Sequence, residues 1–407
     1  MDDNARSRLA YLDATEALLW PTADPSAPEG DALCILPSRS KPRLLAPTTP
    51  RQAAGSAVLR YSAQQGWLGR GAGLGLAAAV GTGYARRPSR RHRGHALGAD
   101  SIDAHLDRVL GEPVATSLSL SPERANRKPV LQVFDRAGRT IAFAKVGVGE
   151  LAAALVENEA AALDVLGRRG LSAVVVPRVL SLTTWHDLPV LVMSALPTVT
   201  ARRVPSARLD RAMREICAID AEPAGAAPLG RYVDRLTARA DEAAVVAGTD
   251  FVLRWRALFD AVLAEPAVAG VGWGSWHGDW TTWNCVGSSR RVAVWDWERF
   301  DRGVPLGFDR LHHELNRTVG RTRSGFGTAA PALVAAADRL LRPWGVAAGP
   351  ARVTALLYVL DVSLRYMADD QRASGGGGTV EEWAFPTVAA ALHGRTPTGE
   401  RRTGARR

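Results

Sequence analysis

The sequence predicts an α+β protein: a small antiparallel sheet carrying one helix, then a larger and mostly helical part. Three observations predict it. Residues 114–121, 130–134 and 140–146 alternate apolar and polar positions, the period of two that a half-buried strand imposes. A single stretch of helical periodicity follows them, from about Glu150 to Arg168. Beyond residue 200 nearly every patterned stretch has 3.6-like spacing, interrupted once by a polar loop and hairpin at 276–300.

Taken in chain order, Leu9, Leu12, Leu18 and Leu19 give a helical pattern over 6–20, and a Pro-rich loop follows. Leu33–Leu36 then reads as a strand and 51–66 as a helix. The run 114–121 (VATSLSLS) opens the sheet, and Asp135-Arg136-Ala137-Gly138 supplies the turn between the next two strands. Gly170 caps the helix that follows. Apolar runs at 173–176 (AVVV) and 189–196 (PVLVMSAL) are expected to complete the same sheet. Helices are then predicted over 205–220, 228–247, 250–265, 328–343, 350–370 and 379–393. The expected division is an N-terminal region of unassigned role (1–105, with a basic linker at 86–94), a sheet lobe (106–197), a helical lobe (198–393) and a basic tail (394–407).

Composition narrows the classes. With 407 residues, 46% hydrophobic and 23% charged, the chain is globular and long enough for two or three domains. The net charge of +10 suggests a nucleic-acid footprint until it is located. Residues 86–93 hold five arginines and no acid, and 394–407 hold five arginines with Glu400, so the remaining body is nearly neutral. Both tracts lack apolar residues to bury and read as solvated linker and tail, so nucleic acid is not expected as a partner. No membrane partner is expected either, because the uncharged run 71–85 is too short to span a bilayer and carries five glycines. Within that run 73–78 matches a G-x-G-x-x-A dinucleotide fingerprint, but no strand precedes it, as the fingerprint requires. Cys34, Cys217 and Cys285 are too few and scattered for a disulfide framework. The acidic N-terminus lacks a signal layout, and a reducing cytoplasm is the expected location.

The chemistry concentrates in His277-Gly278-Asp279-Trp280-Thr281-Thr282-Trp283-Asn284, with Asp296 twelve residues further on. Phosphoryl transfer needs a carboxylate to accept a hydroxyl proton, and oxygen ligands to hold magnesium on the phosphates. Magnesium keeps several waters, so an amide oxygen (Asn284) and a carboxylate (Asp296) suffice, and a hairpin between them would bring the two together. No G-x-S-x-G, H-E-x-x-H or G-x-x-x-x-G-K-[ST] pattern offers another chemistry.

HGDWTTWN followed by VWDWE resembles the aminoglycoside phosphotransferase (choline kinase-like) family, a branch of the protein-kinase-like fold, over about residues 106–395. The resemblance implies a two-lobe kinase-like fold and an ATP-dependent small-molecule kinase. It makes Asp279 the catalytic base, Asn284 and Asp296 the Mg2+ ligands, and His277 a brace for the loop. The acceptor it implies is a small molecule with a hydroxyl: an aminoglycoside, amino sugar, sugar or amino alcohol. The alternative is a non-catalytic kinase-like protein that binds nucleotide or acts as a scaffold.

Lys145, in the third strand, is placed to reach the nucleotide phosphates if a helical glutamate holds it. Glu159 shares its helix face with Leu155, Leu163 and Leu166, the stripe that packs on the sheet, whereas Glu157 points away. Lys145 is therefore paired with Glu159. The chain has no glycine between 114 and 134, so Ser121, a basic side chain such as Arg127, or backbone N–H groups would cover the phosphates; the other reading of 121–128 is an ordinary basic turn. The resemblance puts the backbone of 192–197 against the adenine, with Met193 and Ala195 as contacts. Six of the twelve tryptophans fall between Trp273 and Trp297, some expected at the acceptor and most as packing. Glu298, Asp301, Asp361, Asp369 and Asp370 are candidates to face a cationic acceptor, and His312, His313 and Glu314 read as a solvated helix face.

Overall fold

The structure, a computed structural model, describes residues 3–21, 33–38, 41–63, 100–120, 127–196, 204–288, 290–322, 325–372 and 379–394. The stretch 71–85, the tract 86–93, Ser121 and the tail beyond Gly394 lie outside them. The chain forms two compact units. One holds residues up to Gly170 together with Val175–Ala201; the other holds Leu171–Val174 and everything from Arg202 onward.

The first unit is built on a seven-stranded antiparallel sheet. Its strands are β1 (Leu33–Ser38), β2 (Lys41–Pro47), β3 (Ala115–Ser119), β4 (Val130–Phe134), β5 (Thr140–Val146), β7 (Val179–Trp185) and β8 (Leu188–Ser194), in the order β1-β2-β3-β4-β5-β8-β7. The N-terminal region thus contributes two strands to the same sheet, through Leu44↔Ser119 and Leu45↔Leu118. Helix α2 (Arg51–Ala63) packs Ala53, Ala54, Ala57 and Val58 onto Cys34, Leu36, Leu44, Ala46 and Phe134. Helix α1 (Asp3–Leu19) adds Leu12 and Leu19 to the larger core of the sheet.

Local chemistry explains the elements. The β4–β5 turn closes because Asp135 Oδ1 accepts the N–H groups of Ala137 (3.0 Å) and Arg139 (2.9 Å). Helix α3 (Ile102–Leu110), which periodicity did not reveal, is fixed by its ends: Ser101 Oγ accepts from Ala104 N at 3.2 Å, and Gly111 closes it at φ 73°. Helix α4 (Glu150–Gly167) buries Leu155, Val156, Glu159, Leu163 and Leu166.

One strand expectation needs correction, and one strand was not expected. The 173–176 run does not enter this sheet. Only Val174–Val175 (β6) is extended, and it is grouped with another sheet. The strand that does enter is β7, whose leucines face the wrong way for a simple reading: Leu180 and Leu182 are exposed while Ser181 and Thr183 are half-buried. Its turn to β8 uses His186 and Asp187, both at positive φ (48° and 59°), in place of the glycine that signals such turns.

The second unit is mostly helical. Its helices are α5 (Ser206–Cys217), α6 (Ala226–Ala247), α7 (Thr249–Leu263), α8 (Phe308–Thr322), α9 (Phe326–Ala335), α10 (Ala337–Leu341), α11 (Ala348–Ala368) and α12 (Val380–Leu392), and α6 to α12 share a core that includes Trp255, Phe259, Phe308, Leu356, Leu357 and Tyr358. The predicted helix over 328–343 is two helices meeting at Ala336, and α8 was not among the periodic stretches. The 276–300 interruption contains the hairpin β10 (Cys285–Ser288) and β11 (Arg291–Val294). It is flanked by an antiparallel pair not read from the sequence, β9 (Trp273–Trp276) with β12 (Asp301–Pro305). Glu215 of α5 pins the returning segment by accepting the N–H groups of Ala173 (2.8 Å) and Val174 (2.9 Å). Among the described residues, no single helix is long and apolar enough to cross a membrane.

Together the sheet with its packed helices and the mostly helical remainder make the α+β architecture expected from the sequence, with more than the one helix expected on the sheet.

Candidate active site

In the first unit, Lys145 lies on β5 between Val130 and Leu191, and its Nζ donates to Glu159 Oε2 on α4. The side chains are 8% and 0% exposed, so the charges are paired out of water. Glu157, two residues earlier on the helix, is exposed. Glu159, on the helix face that packs on the sheet, is thus the glutamate that meets Lys145.

In the second unit, the chain leaves β9 at Trp276 and enters the polar loop. His277 is fully buried, and its two ring nitrogens have different jobs. Nε2 lies 3.0 Å from the carbonyl oxygen of Trp295, and Nδ1 lies 3.1 Å from the amide nitrogen of Asp279. A carbonyl can only accept and an amide N–H can only donate, so the ring is neutral with its proton on Nε2. Burial agrees, pushing its pKa down to about 4. His277 thus ties the loop to the end of β11 as a fixed strut.

The next residue must be glycine. Gly278 sits at φ 84°, and a Cβ there would lie 2.2 Å from the Arg299 carbonyl oxygen. From below, the loop is held by Asp309 in the first turn of α8. Asp309 accepts the N–H of His277 (2.8 Å) and of Gly278 (3.2 Å), and burial raises its pKa to about 7. From the side, Arg365 Nη1 of α11 donates to the Gly278 carbonyl at 2.6 Å.

These supports present Asp279, whose side chain stays 34% exposed. Its Oδ2 accepts from Asn284 Nδ2 at 2.9 Å, and its Oδ1 lies 3.1 Å from His312 Nε2. The β10–β11 hairpin then brings Asn284 beside the end of β11, two residues before Asp296. Cys285 pairs with Val294, and Trp295 N donates to the Asn284 carbonyl at 3.1 Å. Asp296 leaves the strand in the left-handed conformation (φ 70°, ψ 54°), which aspartate tolerates better than most residues. Because the Asn284 amide nitrogen is committed to Asp279, its side-chain oxygen is the atom left to act as a ligand. An amide oxygen and a carboxylate are hard oxygen donors of the kind that could hold Mg2+.

The other expectations fare differently. Ser121 lies outside the described residues. Arg127 is placed against the ring of Tyr11, its Cζ 3.3 Å from the centroid. Met193 is buried within β8, paired with Phe143 and Val179. The Ala195 N–H donates to the Ile141 carbonyl (3.2 Å), so that donor is already used. Trp273, Trp276, Trp280 and Trp297 are buried packing, whereas Trp283 in the loop is 53% exposed.

Most acids expected to face a cationic acceptor are engaged inside the fold. Asp301 accepts from Arg239 at 2.9 Å, Asp361 is buried beneath the Tyr232 hydroxyl (3.1 Å), and Asp369 is paired with Arg299. Glu298 is buried and Asp370 is exposed. His312 and His313 do not form a solvated face, being 1% and 7% exposed. The expectation failed because adjacent residues were assumed to point apart into water. Phe308, Leu311 and Leu315 form the buried stripe of α8, and His312, four residues after Phe308, shares it.

Asp309, His312, Tyr358 and Arg365 are therefore the supports that sequence reasoning missed. The one signal available was helical spacing between an acid and a histidine on an apolar stripe.

Comparisons with known proteins give one family match and several structural likenesses. Residues 138–307 match the model of the phosphotransferase enzyme family. No curated protein matches the sequence significantly. Among solved structures, a thermostable mutant of aminoglycoside phosphotransferase APH(4)-Ia is 16% identical, covering 73% of this chain and 100% of its own at a TM-score of 0.43. The ADP-bound aminoglycoside phosphotransferase APH(2'')-Ib is 12% identical over 72% of this chain and 96% of its own, with a TM-score of 0.40. Glucosamine kinase in complex with glucosamine, ADP and inorganic phosphate is 16% identical over 75% and 80%, with a TM-score of 0.27. The match to the family model spans Lys145, Glu159 and the loop from His277 to Asp296.

Proposed function

We propose that the protein is an ATP-dependent kinase that moves the γ-phosphoryl group to a hydroxyl of a small molecule, with Asp279 as the base. One observation carries the reading: a partly exposed carboxylate, Asp279, is oriented by Asn284, which stands at the start of the β10–β11 hairpin with Asp296 just beyond its end. In this reading Asp279 accepts the hydroxyl proton of the acceptor as the oxygen attacks phosphorus. The carboxylate has acceptor capacity left beyond its two hydrogen bonds, so it can orient that hydroxyl first. Asn284 and Asp296 would hold Mg2+, which when bound neutralises charge on the phosphate oxygens. Lys145, kept in place by Glu159, would hold the nucleotide phosphates. With Asp301, Asp361 and Asp369 committed internally, a neutral polyol or an amino sugar suits the protein better than a polycation.

The test is product formation by mass spectrometry across sugars, amino sugars, aminoglycosides and choline-like alcohols, beside MgATP affinity by calorimetry. Asp279→Asn should cut product formation by about 10²–10⁴-fold, the usual worth of a general base. Its MgATP affinity should stay near wild type. Equal product formation in the variant removes Asp279 as the base. A wild type that binds MgATP yet phosphorylates nothing supports the non-catalytic alternative.

A further inference from the structure

We propose that His312 is a positioning residue for Asp279, the middle of a buried chain Tyr358–His312–Asp279 that locks the carboxylate in its working orientation; this rests on the reading of Asp279 as the base. The geometry fixes the direction of every hydrogen bond in that chain. His312 Nε2 is 3.1 Å from Asp279 Oδ1, and Nδ1 is 2.9 Å from the Tyr358 hydroxyl. An ionised carboxylate can only accept, so Nε2 carries the proton. A neutral ring then has a lone pair on Nδ1, and the Tyr358 hydroxyl must donate to it. Burial holds the His312 pKa below its ordinary value, although hydrogen bonding to Asp279 opposes this, so the ring keeps one N–H.

The ring has nowhere to swing. Trp276 meets it edge-on at 6.4 Å between centroids and Tyr358 at 6.0 Å. The opposite carboxylate oxygen is held by Asn284 Nδ2 at 2.9 Å. One donor on each oxygen fixes the carboxylate plane, whereas a single donor would leave it free to rotate about its last torsion. Since a general base must meet its proton along a narrow approach, that restraint bears on the chemical step more than on binding.

The experiment compares His312→Leu, His312→Gln, His312→Asn and Tyr358→Phe with Asp279→Asn in the full-length chain. Turnover is followed as ADP release with glucosamine, glucose, streptomycin and choline, and as MgATP hydrolysis in water. His312→Leu should lose roughly 10- to 100-fold in kcat, the range of a hydrogen bond to a charged group, with the KM for MgATP little changed. His312→Gln places an amide N–H near the position of Nε2 and should recover most of the loss. His312→Asn is too short and should not. Tyr358→Phe should lower kcat in the wild type but add nothing in the His312→Gln background, because glutamine has no tautomer to fix.

Full kcat in His312→Leu, or glutamine no better than leucine, overturns the proposal. Nitrogen-15 NMR of histidine-labelled wild type needs neither turnover nor a folded variant: an Nε2–H tautomer at His312 is expected, and an Nδ1–H tautomer overturns it. If Asp279→Asn keeps wild-type turnover, the assignment of the base fails. If Asp279→Asn is inactive while His312→Leu is not, only the role of His312 fails.

Discussion

Lys145 and Asp279 are both charged groups set for polar chemistry, but the protein holds them by opposite means. Lys145 stands on a regular strand and meets one buried carboxylate on a regular helix. Asp279 stands on an irregular loop and is held through its neighbours. Asp309 takes the N–H groups of the two preceding residues, His277 ties the loop to Trp295, and Arg365 grips the Gly278 carbonyl. A side chain on a regular element inherits its direction from the backbone period. A loop has no period, and each of its backbone polar groups needs its own partner.

The same difference decides what could be read from the sequence. Glu159 was identifiable because strand and helix periods fix which residues face each other. The loop itself was also legible, because HGDWTTWN and the Asp twelve residues on form a compact pattern. Its supports were not. Asp309 and His312 come from α8, thirty and more residues downstream, and Arg365 from α11; no local pattern ties them to the loop. In the sheet, β7 escaped for a related reason, its exposed Leu180 and Leu182 reversing the expected alternation. Tertiary partners, not local preference, decided each of these.

The contrast breaks most sharply at Glu159. Glu159→Ala removes a fully buried carboxylate from a buried ammonium and should cost about 3–5 kcal/mol in urea unfolding. Lys145→Met combined with Glu159→Leu should recover most of that stability, since apolar replacement of a buried pair is often neutral. MgATP affinity measured by calorimetry should remain lost in the double variant. Recovery of both would make the pair purely structural.

Asp309 tests the opposite mode, in which many supports share the load. Asp309→Asn exchanges one carboxylate oxygen for an amide that cannot accept, so one of the two loop N–H groups loses its partner, at about 1–3 kcal/mol. The pH dependence gives a second readout. Burial raises the Asp309 pKa from an ordinary 3.8 to about 7, so the folded state takes up a proton that the unfolded chain releases. This contribution to stability is full below about pH 4 and is lost as pH rises through about 7. The variant should lack that decline. Asp103, raised by burial to about 6, titrates in both proteins and cancels from the comparison. Parallel stability–pH curves for wild type and Asp309→Asn would show that burial does not raise the pKa of Asp309.

The smallest expected effect discriminates best, because it sits two residues from the largest. Glu157 is exposed on α4, pointing away from the stripe that carries Glu159. Alanine is the better helix former, and no buried charge depends on Glu157, so Glu157→Ala should move stability by no more than about 0.5 kcal/mol in either direction. MgATP affinity and turnover should match wild type within error. Two residues on a helix differ by roughly 200° in direction, so neighbours of identical chemistry occupy opposite environments. A large loss in Glu157→Ala together with a mild one in Glu159→Ala would mean that the helix turns its other face to the sheet in solution. The rule that made Lys145 and its partner legible would then have failed where it was expected to be strongest.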